Sequence, residues 1–237
     1  MALPVYLAMT ATEFAAAESL PKYTAWMACH FSCSGTGLSN IPQHLPVGSM
    51  LIVDDSTPIH KHDPKQIADQ LAQVIDTFSV EALLLDLQRP VTDAAFSMIN
   101  EICNCLKCPV GIPPPYLQSA DCPVFLPPIP LDIPPEEYLK PYAGKAIWLE
   151  LALDGATITV TAEDSRYAPL LQNDAAAPYF IDEQLHCAYR ISIADDRATF
   201  TLWRTPETLE SLKEAVSVQG VNCGIGLYQE LAKNPRL

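Results

Sequence analysis

Positive charge is scarce in this sequence: 14 Lys and Arg stand against 28 Asp and Glu in 237 residues, a formal net charge of -14. Phosphate backbones are held by clustered cations, so the deficit argues against nucleic acid as a partner, and against an anionic membrane surface. No Lys or Arg precedes Lys22, so the basic start of a secretory signal is missing and a cytoplasmic location is the expectation. An unbroken apolar run is also lacking. Residues Tyr23 to Val53 contain no Asp, Glu, Lys or Arg, but Ser, Asn, Gln, Gly and Pro interrupt them too often for a membrane span. What remains is 49% hydrophobic and 18% charged, a composition that fills one large core.

Eight cysteines are present, an even number, yet a chain of this length folds without staples, and several of them sit in apolar runs. The expectation is free thiols in a reducing compartment. Cys103-x-Cys105-x-x-Cys108 lacks a second ligand pair, so no metal centre is expected, and nothing calls for a cofactor.

Short apolar runs alternating with helical patterns indicate a parallel α/β sheet. Eight strands are expected: Val5 to Met9, Thr24 to Cys29, Met50 to Val53, Ala82 to Leu87, Pro109 to Ile112, Pro123 to Leu126, Ile147 to Leu153 and Gly224 to Tyr228. Asp63-Pro64 is a helix cap followed by proline at the first helical position, and it opens a helix to about Phe78. A second helix is expected from about Thr92 to Leu106, and a third from Thr205-Pro206 to Gly220. Proline crowds Pro109 to Pro141, so the connections after strands five and six carry short helices or none. Between Ala146 and Arg204 the pattern turns antiparallel, with Ala188 to Ile193 and Thr199 to Trp203 flanking a hairpin turn. The fold class expected is α/β. It is a compact (β/α)8 TIM barrel with shortened helices after strands five and six and a small antiparallel β insertion, about residues 154–203, before the last helix. Residues 1–237 form one domain.

Reacting groups in such barrels come from the C-terminal ends of the strands. The polar residues there include His30, Asp54, Asp55, Asp86, Gln88, Arg89, Tyr116, Tyr228 and Glu230. Alternation places Asp86 and Gln88 on one face, toward the axis if Leu83, Leu85 and Leu87 face the helices. The other reading of Asp86 is a buried structural carboxylate. His60 and His62 flank Lys61, whose charge opposes a cation between them. Ser34-Gly35-Thr36-Gly37 opens no recognisable helix and is a weak phosphate cradle.

Glu81-Ala82-Leu83-Leu84-Leu85-Asp86-Leu87-Gln88-Arg89-Pro90 resembles the fourth-strand signature of family 18 glycoside hydrolases, the chitinase-like barrels, whose pattern is D-x-x-D-x-D-x-E. The stretch from Tyr179 to Glu183, with Thr201 to Trp203 and Thr205 to Glu230, is similar to that family's ending: a β insertion, a strand, a helix and a last strand reaching an aromatic residue. The resemblance implies a sugar site in which the final Glu of the signature protonates the leaving oxygen, while the Asp two before it orients the acetamido group that attacks. Asp86 keeps that identity. The acid's position holds Gln88, the first acidic position holds Glu81 and the second Leu84. A carboxamide has no proton to give at neutral pH, and losing general-acid catalysis typically costs about 10²–10⁴ in rate. Phe125-Leu126-Pro127-Pro128 offers no hydroxyl where the family has a tyrosine, and Tyr228 stands where it commonly has a tryptophan.

The resemblance therefore implies a chitinase-like barrel that lacks standard hydrolase activity and binds an N-acetylglucosamine-type glycan or another small ligand. Asp86, Gln88 and Glu230 are the candidate chemical residues. Arg89, Tyr228, Asp54, Asp55, His30 and Tyr116 are the candidate ligand contacts. Two alternatives stand beside it: an active glycoside hydrolase that uses Glu230, Asp54 or Asp55 as its acid, and a protein-interaction scaffold.

Overall fold

A computed structural model describes residues 2–35, 37–117, 122–170 and 178–232. Thr36, in the glycine-containing loop noted above, lies outside the described residues.

The chain opens with β1 (Val5–Met9) and a short helix, α1 (Ala11–Ala16), which the apolar pattern does not announce. A capping box holds α1: Glu13 N donates to Thr10 Oγ1, and Thr10 N donates back to Glu13 Oε2. Next come β2 (Thr24–Phe31), the two-residue β3 (Leu38–Ser39) and β4 (Met50–Asp54). The Asp63 cap is present, with Oδ1 accepting from Gln66 N at 2.8 Å. It starts α2 (Pro64–Phe78), which ends where Ser79 turns left-handed at φ 52. Then follow β5 (Ala82–Asp86) and α3 (Asp93–Cys105), the latter capped by Thr92.

Beyond α3 the prolines have the expected effect. β6 (Val110–Gly111) leads only to a single helical turn, and β7 (Val124–Leu126) to the five-residue α4 (Pro135–Leu139). After β8 (Ile147–Glu150) the insertion runs through β9 (Gly155–Thr161), β10 (Ser165–Pro169), β11 (Phe180–Asp182), β12 (Cys187–Ala194) and β13 (Arg197–Trp203). The chain ends with α5 (Pro206–Ser217), β14 (Val221–Leu227) and α6 (Tyr228–Leu231). The last strand is longer at its start and one residue shorter at its end than the pattern suggests, so Tyr228 begins a helix. β8 stops at Glu150 rather than Leu153.

Eight parallel strands, β1, β2, β4, β5, β6, β7, β8 and β14, pair in that order and return from β14 to β1. The ring is completed between β6 and β7 by one parallel bridge, Ile112 to Val124. Ile112 N donates to Pro123 O at 3.0 Å and Phe125 N to Ile112 O at 2.8 Å. The result is the expected (β/α)8 TIM barrel.

The strands carry two apolar faces because both are covered. Leu51, Val53, Leu83 and Leu85 point outward against Ile67, Leu71, Met98 and Ile99 of α2 and α3. Tyr6, Ala8, Ala25, Met50, Ile52, Leu84, Trp148 and Ile225 fill the axis. Trp148 reaches across to β6, where a Cβ on Gly111 would lie 2.3 Å from its Cε3. Glycine is needed there for close approach. Gly111→Ala should therefore destabilise by roughly 1–3 kcal/mol through overpacking, and Trp148→Leu in the same chain should recover part of the loss in a denaturant-unfolding cycle.

The insertion is a separate antiparallel sheet, ordered β10-β9-β13-β12-β11. Ala156, Cys187 and Leu202 cover Leu131 of the β7–α4 connection. Where the chain leaves the barrel and where it returns, Asp154 and Arg204 meet: Arg204 N donates to Asp154 O at 2.9 Å, and Nη1 to Asp154 Oδ1 at 2.7 Å. Arg204, whose side chain is 1% exposed, also donates from Nη2 to Ile129 O at 2.8 Å. A buried guanidinium needs this density of acceptors.

Candidate functional site

Strand alternation assigns the side chains at the barrel mouth. On β5, Leu83, Leu85 and the following Leu87 pack outward with the helices, while Ala82 and Leu84 fill the axis. Asp86, two beyond Leu84, continues the inward row to the rim. By the same parity Asp54 follows Ile52 on β4, and Glu150 follows Trp148 on β8. These three carboxylates share the wall of an axial cavity of about 150 Å³ with Gln88, Phe125, Met27 and Leu227. Among the described residues no Lys or Arg lines it.

Gln88 lies beside Asp86, its Nε2 donating to both carboxylate oxygens at 3.2 Å. The Asp86 carboxyl is raised above the ordinary aspartate range. Burial is the main cause, the charges of Asp54 and Asp55 add to it, and the hydrogen bond from Gln88 opposes it.

Asp54 and Asp55 are adjacent in sequence and opposite in role. Asp54 Oδ1 accepts from Ser56 N at 2.8 Å, and its carboxylate borders the cavity. Asp55 is 3% exposed. Its Oδ1 accepts from Gln88 N and its Oδ2 from Arg89 N, both at 2.9 Å. The Arg89 guanidinium returns to the same turn, with Nε donating to Asp55 O at 2.6 Å and Nη2 to Ser56 O at 2.5 Å. Asp55 and Arg89 thus form a clasp between the β4 and β5 rims that aims the Gln88 backbone.

The axial cavity opens onto a polar shelf of about 380 Å³ lined by Asp54, Asp55, Ser56, Asp86, Gln88 and Arg89. Next to it is a more apolar hollow of about 250 Å³ that shares Asp55 and Arg89 and adds His60, Pro90, Ala95 and Tyr116. Tyr116 is 2% exposed and packs edge-on against Phe96.

The remaining expected residues lie apart from the axial cavity. His30 holds Nδ1 3.2 Å from Ala28 O. Tyr228 starts α6 and packs against the cluster outside the barrel, so Leu227 rather than Tyr228 borders the cavity. Glu230 Oε2 accepts from Leu153 N at 3.4 Å. His62 is 7% exposed and tilts against Phe31. Among the described residues no group of three or more His, Cys, Asp or Glu converges on one point as a metal site would.

Sequence reasoning missed Glu150. The alternation in Ile147-Trp148-Leu149-Glu150 that sends Trp148 inward sends Glu150 inward too, but a strand drawn on to Leu153 hides that Glu150 is at the rim. Its carboxyl is raised, first by burial and then by the charges of Asp86, Glu230 and Asp154. A carboxyl whose folded pKa exceeds its unfolded value stabilises the fold below the unfolded value, here 4.5, and that contribution is lost as pH rises through the folded pKa. Glu150→Gln should therefore melt higher than wild type at about pH 8, with the difference vanishing toward about pH 4 in a thermal series.

No family model and no curated protein matches this sequence. Solved structures do. The Bacillus cereus spore cortex-lytic enzyme SleL superposes with TM-score 0.60 at 11% identity, covering 94% of this chain and 70% of that one. A chitinase from Chromobacterium violaceum gives TM-score 0.56 at 12% identity, over 96% of this chain and 94% of its own. The fold is that of the chitinase barrels. A GH18 chitinase from Cycas revoluta in complex with (GlcNAc)3 agrees, with TM-score 0.59 at 10% identity and coverage of 95% and 94%. In this chitinase-type barrel the shared feature is the path of the backbone, at identities of 10–12% among these three neighbours. No helix among the described residues is long and apolar enough to cross a membrane.

Proposed function

We propose that the barrel mouth binds a glycan of N-acetylglucosamine type, without the standard hydrolytic step. The observation that carries this reading is the Asp86–Gln88 pair. An aspartate able to orient an acetamido group sits on the axis, and a carboxamide hydrogen-bonded to both its oxygens stands where a proton donor is needed. The apolar wall of Phe125, Met27 and Leu227 offers contact for a sugar's C–H face, and the polar shelf gives hydroxyls carboxylate partners. A variant of the Cycas revoluta chitinase with one glycine-to-tryptophan and one glutamate-to-glutamine change is solved in complex with (GlcNAc)4. A carboxamide replacing a carboxylate in this fold is thus compatible with a bound oligosaccharide.

The test is a titration with N-acetylglucosamine trimer and tetramer. At a hundredfold excess over Kd, binding adds about 2.7 kcal/mol and raises Tm by roughly 5–10 °C, with no shorter product appearing. No response up to millimolar oligomer, or rapid release of product, overturns the reading. One observation favours a second reading, an active hydrolase with a displaced acid: Glu150 faces the same cavity with a raised carboxyl. If product does appear, its loss in Glu150→Gln identifies that route.

A further inference from the structure

Among the described residues the barrel ring is thinnest between β6 and β7, where one bridge joins Ile112 to Val124. Two cysteines lie across this seam. Cys103 is in the last turn of α3, the helix that leads into β6, and Cys122 immediately precedes Pro123 and β7. Their Sγ atoms are 3.2 Å apart although the residues are 19 apart in sequence, inside ordinary van der Waals separation for two sulfurs. Both are half-buried against the same apolar cluster, and neither is joined in a disulfide. Cys33 and Cys105 are exposed thiols, and Cys105 Sγ faces Glu101 Oε1 rather than another sulfur.

We propose that Cys103 and Cys122 form an intramolecular disulfide, a covalent modification site that ties the barrel across its β6–β7 seam. The oxidant is a small disulfide such as oxidised glutathione. One cysteine thiolate attacks it, forms a mixed disulfide and expels one glutathione thiolate. The second cysteine thiolate attacks the protein sulfur of that mixed disulfide and expels the other. Two protein thiols lose two electrons and two protons, and one oxidised glutathione becomes two reduced molecules. The closed loop contains β6 and Tyr116. The neighbouring sulfur together with burial raises the Cys103 thiol, so little of it is thiolate at neutral pH.

The full chain is incubated with oxidised glutathione, quenched in acid, alkylated, digested and mapped by mass spectrometry. The expected product is a peptide joining Cys103 to Cys122, lighter by two hydrogens than its two parts, while Cys33 and Cys105 carry single glutathione adducts. Oxidation should raise Tm by roughly 5–10 °C, and that gap should be absent from the Cys103→Ser/Cys122→Ser double variant. Recovery of both residues as alkylated thiols or as separate adducts overturns the proposal, as does a link from Cys122 to Cys108. The mapping needs only the wild-type chain and stands whether or not the variant folds.

Discussion

Gln88→Glu should turn this barrel into a measurable glycosidase, raising release of an aryl group from aryl N-acetylglucosamine oligomers by about 10²–10⁴ over wild type. Three features support the size of the effect. The Gln88 backbone is anchored by Asp55, so the introduced carboxyl starts from a fixed position. It would take the place of an amide that already bonds both Asp86 oxygens at 3.2 Å. Two carboxyls this close titrate as a pair that retains one proton to higher pH, and burial has already raised Asp86. The gain should follow a bell-shaped pH profile and vanish when Asp86→Asn is added. Gln88→Ala, with neither acid nor amide, should stay at the wild-type rate. A Gln88→Glu protein that binds oligomers yet releases nothing would show that the cleft does not present the linkage to this pair.

Asp55→Ala should cost about 3–5 kcal/mol of stability and lower Tm by roughly 6–15 °C. The side chain is 3% exposed and accepts two backbone N–H bonds at 2.9 Å. Each bond to a charged acceptor is worth about 1.5–3 kcal/mol, and truncation leaves both donors without a partner. The measurement also separates two roles. A residue that only touches ligand can be removed without harm to the free protein, whereas a clasp is felt before any ligand is added. Asp55→Asn, which keeps one acceptor oxygen, should fall between. A loss below about 1 kcal/mol in denaturant unfolding would return Asp55 to the ligand-contact role the sequence suggests.

Local rules made much of this legible. The Asp63-Pro64, Thr92 and Thr205-Pro206 caps start helices where expected because a side-chain acceptor and a missing N–H suit a first turn. The Leu83, Leu85, Leu87 row sends Asp86 to the axis because the period of a strand is two. The (β/α)8 TIM barrel, its shortened helices and its insertion followed from such signals added together. What stayed hidden depends on chain ends and on distant partners. Glu150 needed the stopping point of β8, and Tyr228 needed that of β14. Alternation alone could have set Asp54 and Asp55 on opposite sides, but only the packed rim shows that Asp55 meets Gln88 and Arg89, more than thirty residues away. The Cys103–Cys122 approach and the Ile112–Val124 bridge between β6 and β7 are long-range facts with no local trace.

Asp154 and Arg204 give the insertion both its exit and its return at one spot, main chain against main chain at 2.9 Å. The second sheet is therefore mounted like a cartridge in a two-pin socket. Its outer strands can lengthen or shorten without rerouting any stave of the barrel, provided the aspartate and the arginine still meet and Ala156, Cys187 and Leu202 still cover Leu131. Evolutionary or engineered change in the sheet is thereby kept separate from the ring that holds Asp86 in place.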